Sequence, residues 1–421
     1  MRTDFRVDLI LISTGVIFLF GCNHVQSTQP QPLDIAQTNQ DRPEMSPDNS
    51  PMHFSVLHKF HGGAEGSYPL ASLVGDAAGS LYGTTAIGGS GCGTAGCGVA
   101  FKIAPSGRET VFHTFNDQDG VEPSAAFLQD SAGNFYGTAP YGGEFFGECS
   151  NGCGLVFEID PSGNETVLYT FLGMTDGNHP GSGQLIKDSA GNFYDTTPSG
   201  GTSNLGVVYK LDQNGNETVL HSFSGNDGKS PGWGVIQDGT GSLFGTTSAG
   251  GSKYHAGEVF KIDPSGNESI LHYFNGLDGR SPNGVIRDSA GNFYGTTTSG
   301  GSSACSGGCG LVFKIDPSGH ETVLHRFNGS DGQAPYDELV RSTGGNLYGT
   351  TWSGGSAGLG VVFRLDPSGH ETVLHSFSGT DGKGPVGGLY RNAAGDLFGT
   401  TTTGGTSGCN GGCGVVFKLA H

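Results

Sequence analysis

Eight cysteines fall as four local pairs, Cys92/Cys97, Cys149/Cys153, Cys305/Cys309 and Cys409/Cys413, each inside a glycine-rich stretch. Thiolates at this spacing could hold a soft metal, but no histidine stands at ligand spacing within those stretches. Short-range disulfides in an oxidising compartment are the expected reading. A second set of seven acids, Glu65, Asp119, Asp176, Asp227, Asp278, Asp331 and Asp381, is followed each time by glycine. Carboxylates collected on one rim could bind calcium, which takes several oxygen ligands. An acid present in every copy of a motif is expected instead to build its turn, accepting local backbone hydrogen bonds, so no metal or other cofactor is assigned. A third set, His58, His113, His221, His272, His325 and His375 with Tyr169 in one place, is expected to pack neighbouring units on a perimeter.

The exceptions to this regularity carry what catalytic promise there is. Asp195 replaces a glycine, Asp337 and Glu338 replace small residues, and His179 and His255 stand alone. Paired carboxylates serve hydrolases and lyases. Asp195 belongs to the third unit and Asp337/Glu338 to the sixth, on opposite sides of a closed ring, so no catalytic residue is assigned. Aromatic side chains are the other asymmetry: Trp233, Trp352, Tyr254, Tyr336, and Tyr141, Phe145 and Phe146 in one long glycine-rich loop. Such residues suit a sugar or peptide ligand, and binding is expected to centre on Tyr141, Phe145 and Phe146.

The positioning elements come from a repeat. The run Leu81-Tyr82-Gly83-Thr84-Thr85 occurs, with variations, seven times, at steps of 54, 58, 50, 50, 54 and 50 residues, ending at Leu397-Phe398-Gly399-Thr400-Thr401. Each copy has four short runs of alternating apolar residues, in the fifth copy Asn283 to Arg287, Asn292 to Thr297, Leu311 to Ile315 and Glu321 to Phe327. Asp288-Ser289-Ala290-Gly291-Asn292 and Asp316-Pro317-Ser318-Gly319-His320 read as tight hairpin turns. Four-stranded meanders at this period specify propeller blades. With strands named A to D, the body opens on a lone D strand, residues 55–60, and ends after a C strand, residues 415–419. The prediction is therefore an all-β, seven-bladed β-propeller of four-stranded antiparallel blades, closed by pairing the N-terminal strand with the C-terminal ones. A–B and C–D turns then lie on one face. The variable B–C and D–A loops lie on the other, where any ligand is expected.

The recurrent Gly-Asn-Leu/Phe-Tyr-Gly-Thr-Thr run, the Gly-Gly after it and the Gly-Val-Val-Phe-Lys-Leu/Ile-Asp run resemble the gloeo/verruco (GloVer) tandem-repeat family of bacterial surface proteins. The resemblance covers residues 53 to 419 and implies export and a repeat scaffold, with no activity or catalytic residues to carry over. Members often carry a C-terminal sorting signal, whereas an anchor here is expected at the N-terminus.

Arg2 and Arg6 precede an apolar run from Leu9 to Phe20, the length of a signal peptide rather than a membrane span. Leu19-Phe20-Gly21-Cys22 resembles a lipobox, although Phe20 stands where a small residue is usual and Asp4 and Asp8 dilute the basic end. Residues 1–21 are read as a signal peptide, 22–52 as a lipidated Cys22 and polar tether, and 53–421 as the propeller. An ordinary cleaved signal or an uncleaved anchor is the alternative. The net charge of -19 opposes nucleic acid as a partner. The expected protein is an exported, monomeric envelope lipoprotein, touching the membrane only through its lipid and binding a glycan or envelope protein. The alternatives are a carbohydrate-active hydrolase or lyase and a purely structural repeat.

Overall fold

Strand C shows why each blade forms. Its Val-Val-Phe-Lys-Leu pattern buries four of five residues, as in Val361–Leu365 and Val415–Ala420. Strand D, as in Glu371–Ser376, is only half covered and forms the outer edge. The computed structural model describes residues 51–143, 149–251 and 253–421. Their strands form seven antiparallel sheets, and no α-helix occurs among them. Blade 4 is typical, with strands A to D at Val235–Gln237, Leu243–Thr247, Glu258–Ile262 and Glu268–Tyr273. In blade 7 the N-terminal strand His53–Lys59 supplies D by pairing with Val415–Ala420, from His53 opposite Ala420 to Lys59 opposite Val415. The protein is a seven-bladed β-propeller.

The tight turns are set by aspartate. Asp288 Oδ1 accepts the N–H groups of Ala290 (3.0 Å) and Asn292 (2.9 Å), and Gly291 takes φ 85° to complete the reversal. The Tyr294 hydroxyl donates to Asp288 Oδ2 at 3.0 Å, tying strand B to the same turn. Asp316 organises the C–D turn by accepting from the N–H groups of Ser318 and His320.

Blades are joined by an aromatic contact at every interface. The phenylalanine ending each D strand meets the strand-C aromatic of the next blade edge-on: Phe60–Phe101, Phe115–Phe157, Phe171–Tyr209, Phe223–Phe260, Phe274–Phe313, Phe327–Phe363 and Phe377–Phe417, at 5.1–5.3 Å between ring centres. All are buried, and each such ring contributes roughly 1.5–3 kcal/mol on burial.

A second device clips the blades on the loop face. Tyr68, Glu122, His179, Ser230, Ser281 and Ala334 hold positive φ of 53–58°, and Gly384 holds 62°. Each directly precedes a proline. Each N–H donates to a carbonyl two residues before strand C of the preceding blade, for example His179 to Cys153 (2.8 Å) and Ser230 to Leu205 (2.8 Å). The proline ring then lies on the glycine that opens that strand. A Cβ on Gly257 would fall 2.6 Å from Pro282 Cδ. The left-handed residue is held by the hydrogen bond and by the proline behind it.

Candidate functional site at the channel mouth

The four cysteine pairs are disulfides: Cys92–Cys97, Cys149–Cys153, Cys305–Cys309 and Cys409–Cys413. They sit at the base of B–C loops, and the carbonyls of Cys97, Cys153, Cys309 and Cys413 receive the clip from the next blade. Blades without a disulfide present Leu205, Ala256 or Leu359 there. The cystine thus holds and fills the place an apolar side chain takes elsewhere.

The recurrent acids hold their own loops. Asp119, Asp227, Asp278, Asp331 and Asp381 accept the N–H of the residue three before them, at 2.6–2.9 Å. Asp176 accepts from Leu172 N–H and from the Tyr169 hydroxyl, both at 2.9 Å. Their partners in strand D lie at the blade joints, with His221–Asp227 at 3.1 Å, His325–Asp331 at 3.2 Å and His375–Asp381 at 2.9 Å. Six of the seven joints also receive a glutamate from the next blade. Burial pushes Glu165, Glu217 and Glu371 up to about 7 and Glu268 to about 8. At the last joint Phe54 replaces the glutamate and stacks on His375 at 3.6 Å.

The aromatic candidates do not act together. Trp233 of blade 4 and Tyr336 of blade 6 meet edge-on, with ring centres 5.3 Å apart, across the loop-face mouth of the central channel. They border a cavity of ≈ 480 Å³ with His179, Asn283 and the hydroxyls of Ser182 and Ser281. Tyr141 packs on His179 at 5.1 Å, in the joint between blades 2 and 3. Tyr254, 48% exposed with Lys253 over its ring, and Trp352, 54% exposed, stand outside that cavity. Phe145 and Phe146 lie outside the described residues, as does Cys22.

Of the deviating carboxylates, Asp195 belongs to blade 3 and Asp337 and Glu338 to blade 6. Asp195 is fully buried; its Oδ1 accepts Thr196 N–H at 2.7 Å and its Oδ2 has no hydrogen-bond partner. Burial holds it well above the ordinary carboxyl range. Opposite it in the sheet stands Tyr209, where other blades carry phenylalanine. Asp337 accepts hydrogen bonds from Glu338 N–H (2.6 Å), Gly388 N–H and the Ser72 hydroxyl (3.3 Å), linking blade 6 to blades 7 and 1. Burial raises Asp337 to about 6 despite these bonds. Glu338, half-buried beside Asp337 and lying over Gly284, is pushed up to about 8 by loss of solvent and by the neighbouring Asp337. Both carboxyls are thus pushed toward the protonated form, Glu338 further than Asp337.

On the tight-turn face a smaller cavity of ≈ 170 Å³ is bordered by Asp76, Gln184, Arg341 and Arg391. These arginines escape a sequence reading because they sit in the regular part of the repeat. Among the described residues, His/Cys/Asp/Glu groups close enough for one ion occur at blade joints and at Cys92/Cys97/Asp117, and do not include Asp195, Asp337 or Glu338. The Cys92–Cys97 disulfide removes the thiolates from that group.

The model of the Gloeobacter/Verrucomicrobia repeat matches residues 44–255 and 233–421. The chain belongs to the Gloeobacter/Verrucomicrobia repeat family. No curated protein matches it. Among solved structures it is similar to the extracellular domain of a candidate hybrid two-component system from B. thetaiotaomicron. That match has 9% identity and a TM-score of 0.53, covering 87% of this chain and 39% of the other. It is also similar to a gluconolactonase from Xanthomonas campestris at 12% identity and a TM-score of 0.43, covering 75% and 92%. The first of these likenesses concerns the propeller fold alone. Of the departures from the repeat, Trp233 and Tyr336 meet at the ≈ 480 Å³ cavity, and Asp195, Asp337 and Glu338 are not among its lining residues.

Proposed function

We propose that this propeller is an exported, lipid-anchored envelope protein that binds a glycan at the loop-face mouth of its channel. The observation that carries the reading is the Trp233–Tyr336 pair at the edge of a ≈ 480 Å³ cavity rich in serine hydroxyls. A sugar offers C–H faces to aromatic rings and hydroxyls to polar neighbours, and a cavity of this size holds a short oligosaccharide. The hydrophobic segment Leu9 to Phe20 before Cys22 supports export and anchoring.

The test is a screen of residues 51–421 against envelope glycans and envelope proteins, followed by affinity measurements. Trp233→Ala with Tyr336→Ala should weaken glycan binding more than tenfold while the melting temperature is kept. Glycan hits that bind this double variant unchanged would end the proposal, as would hits among proteins alone.

A second reading, a carbohydrate-active hydrolase or lyase, is favoured by one observation. Asp337 and Glu338 are raised to about 6 and about 8, which sets a stronger acid beside a weaker one. It predicts turnover of a bound glycan that Glu338→Gln abolishes without loss of binding.

A further inference from the structure

The joint between the closing blade and blade 1 differs from the other six, and we infer that it is a divalent transition-metal site formed by His58, His61, Glu65 and Glu109. The ligand atoms of His58, Glu65 and Glu109 lie within 4.8 Å of one another. Glu109, with its side chain only 7% exposed, turns its carboxylate to 3.9 Å from His58 Nε2. Neither Glu109 Oε1 nor His58 Nε2 has a hydrogen-bond partner. His58 Nε2 thus faces the Glu109 carboxylate without a hydrogen bond between them, and a cation placed there would satisfy both. His61, 65% exposed, hydrogen-bonds Glu65 Oε2 through Nδ1 at 3.1 Å; unlike the half-buried histidines of other joints its ring is free to turn and would supply a second imidazole from the solvent side.

At two other joints the histidine is already engaged, His221 with Asp227 at 3.1 Å and His325 with Asp331 at 3.2 Å. His113 with Glu165 and His272 with Glu321 also leave ring nitrogen and carboxylate oxygen unpartnered, so what sets the seam apart is the second histidine beside its loop carboxylate. Among the described residues, no second histidine is hydrogen-bonded to the loop carboxylates Asp227, Asp278 or Asp331. Two imidazoles with two carboxylates suit zinc and its first-row neighbours rather than calcium, which prefers oxygen alone. The position gives the ion a task. His58, His61 and Glu65 follow the strand that closes the ring and Glu109 belongs to the next blade, so one ion would fasten the seam.

The experiment uses the full chain stripped with chelator and titrated with zinc chloride alone. One zinc per chain should bind and raise the melting temperature. His61→Ala, an exposed change, and Glu109→Gln should each weaken zinc binding at least tenfold, while His272→Gln at another joint leaves it unchanged. Absence of stoichiometric zinc would overturn the inference. Affinity indifferent to both substitutions would overturn it too, as would calcium raising the melting temperature where zinc does not.

Discussion

Glu258 opens strand C of blade 4, where four other blades carry Val99, Val207, Val361 and Val415. Its carboxyl is fully buried, both oxygens lack partners, and burial with Glu268 and Asp227 nearby raises it to about 9. Leaving such a group unsatisfied costs about 1–3 kcal/mol. Glu258→Val should therefore stabilise the protein by that order, read as a rise in denaturant midpoint. The joint glutamates set a pH dependence. Folded values of about 7 for Glu165, Glu217 and Glu371 and about 8 for Glu268 exceed the ordinary 4.5, so the folded state holds protons more tightly. Their stabilising contribution is complete below pH 4.5 and is lost as pH rises through 7 to 8. His325 and His375, lowered by burial, act in the opposite sense but are neutral in both states above pH 7. Melting temperature in chelator should fall from pH 7 to 8.5, and Glu268→Gln should flatten the fall. A rise over that interval would contradict the assignment.

At the scale of elements, the strands and tight turns were legible because alternation and Asp-x-x-Gly set them locally. The clip before each proline was not. A residue preceding proline is biased toward extended backbone, and Tyr68, Glu122 and His179 give no sign of positive φ. It is imposed by a hydrogen bond from another blade, which no local pattern contains. The candidate site was half legible: the deviating residues could be picked out, but not that Trp233 of blade 4 and Tyr336 of blade 6 would meet edge-on. The loop glycines follow from the clip. Gly257→Ala would place a Cβ against Thr247 O and Pro282 Cδ at φ 92°. It should cost about 3 kcal/mol, from strain and overpacking together, measured by denaturant unfolding. A neutral result would mean that blade 4 can slide on blade 5.

For the whole molecule, closure depends on a single strand far from its partners in sequence. Deleting the chain through Phe60 would strip the edge of Val415–Ala420, take Phe54 off His375 and Phe60 off Phe101. Loss of cooperative melting, or aggregation, is the expected outcome, because the ring would then have a free edge. The proposed binding site belongs to the ring as a whole too, since its cavity is lined from blades 2 to 6. The chain has only two tryptophans, Trp233 at the mouth and Trp352 outside it, so each can be made the sole reporter. Titration of a glycan from the screen into Trp352→Phe, followed by fluorescence, tests the central claim most directly. The emission of Trp233 should change saturably, while the same titration of Trp233→Phe leaves Trp352 silent. Saturable change at Trp352 with Trp233 unmoved would place the site away from the channel and contradict the account.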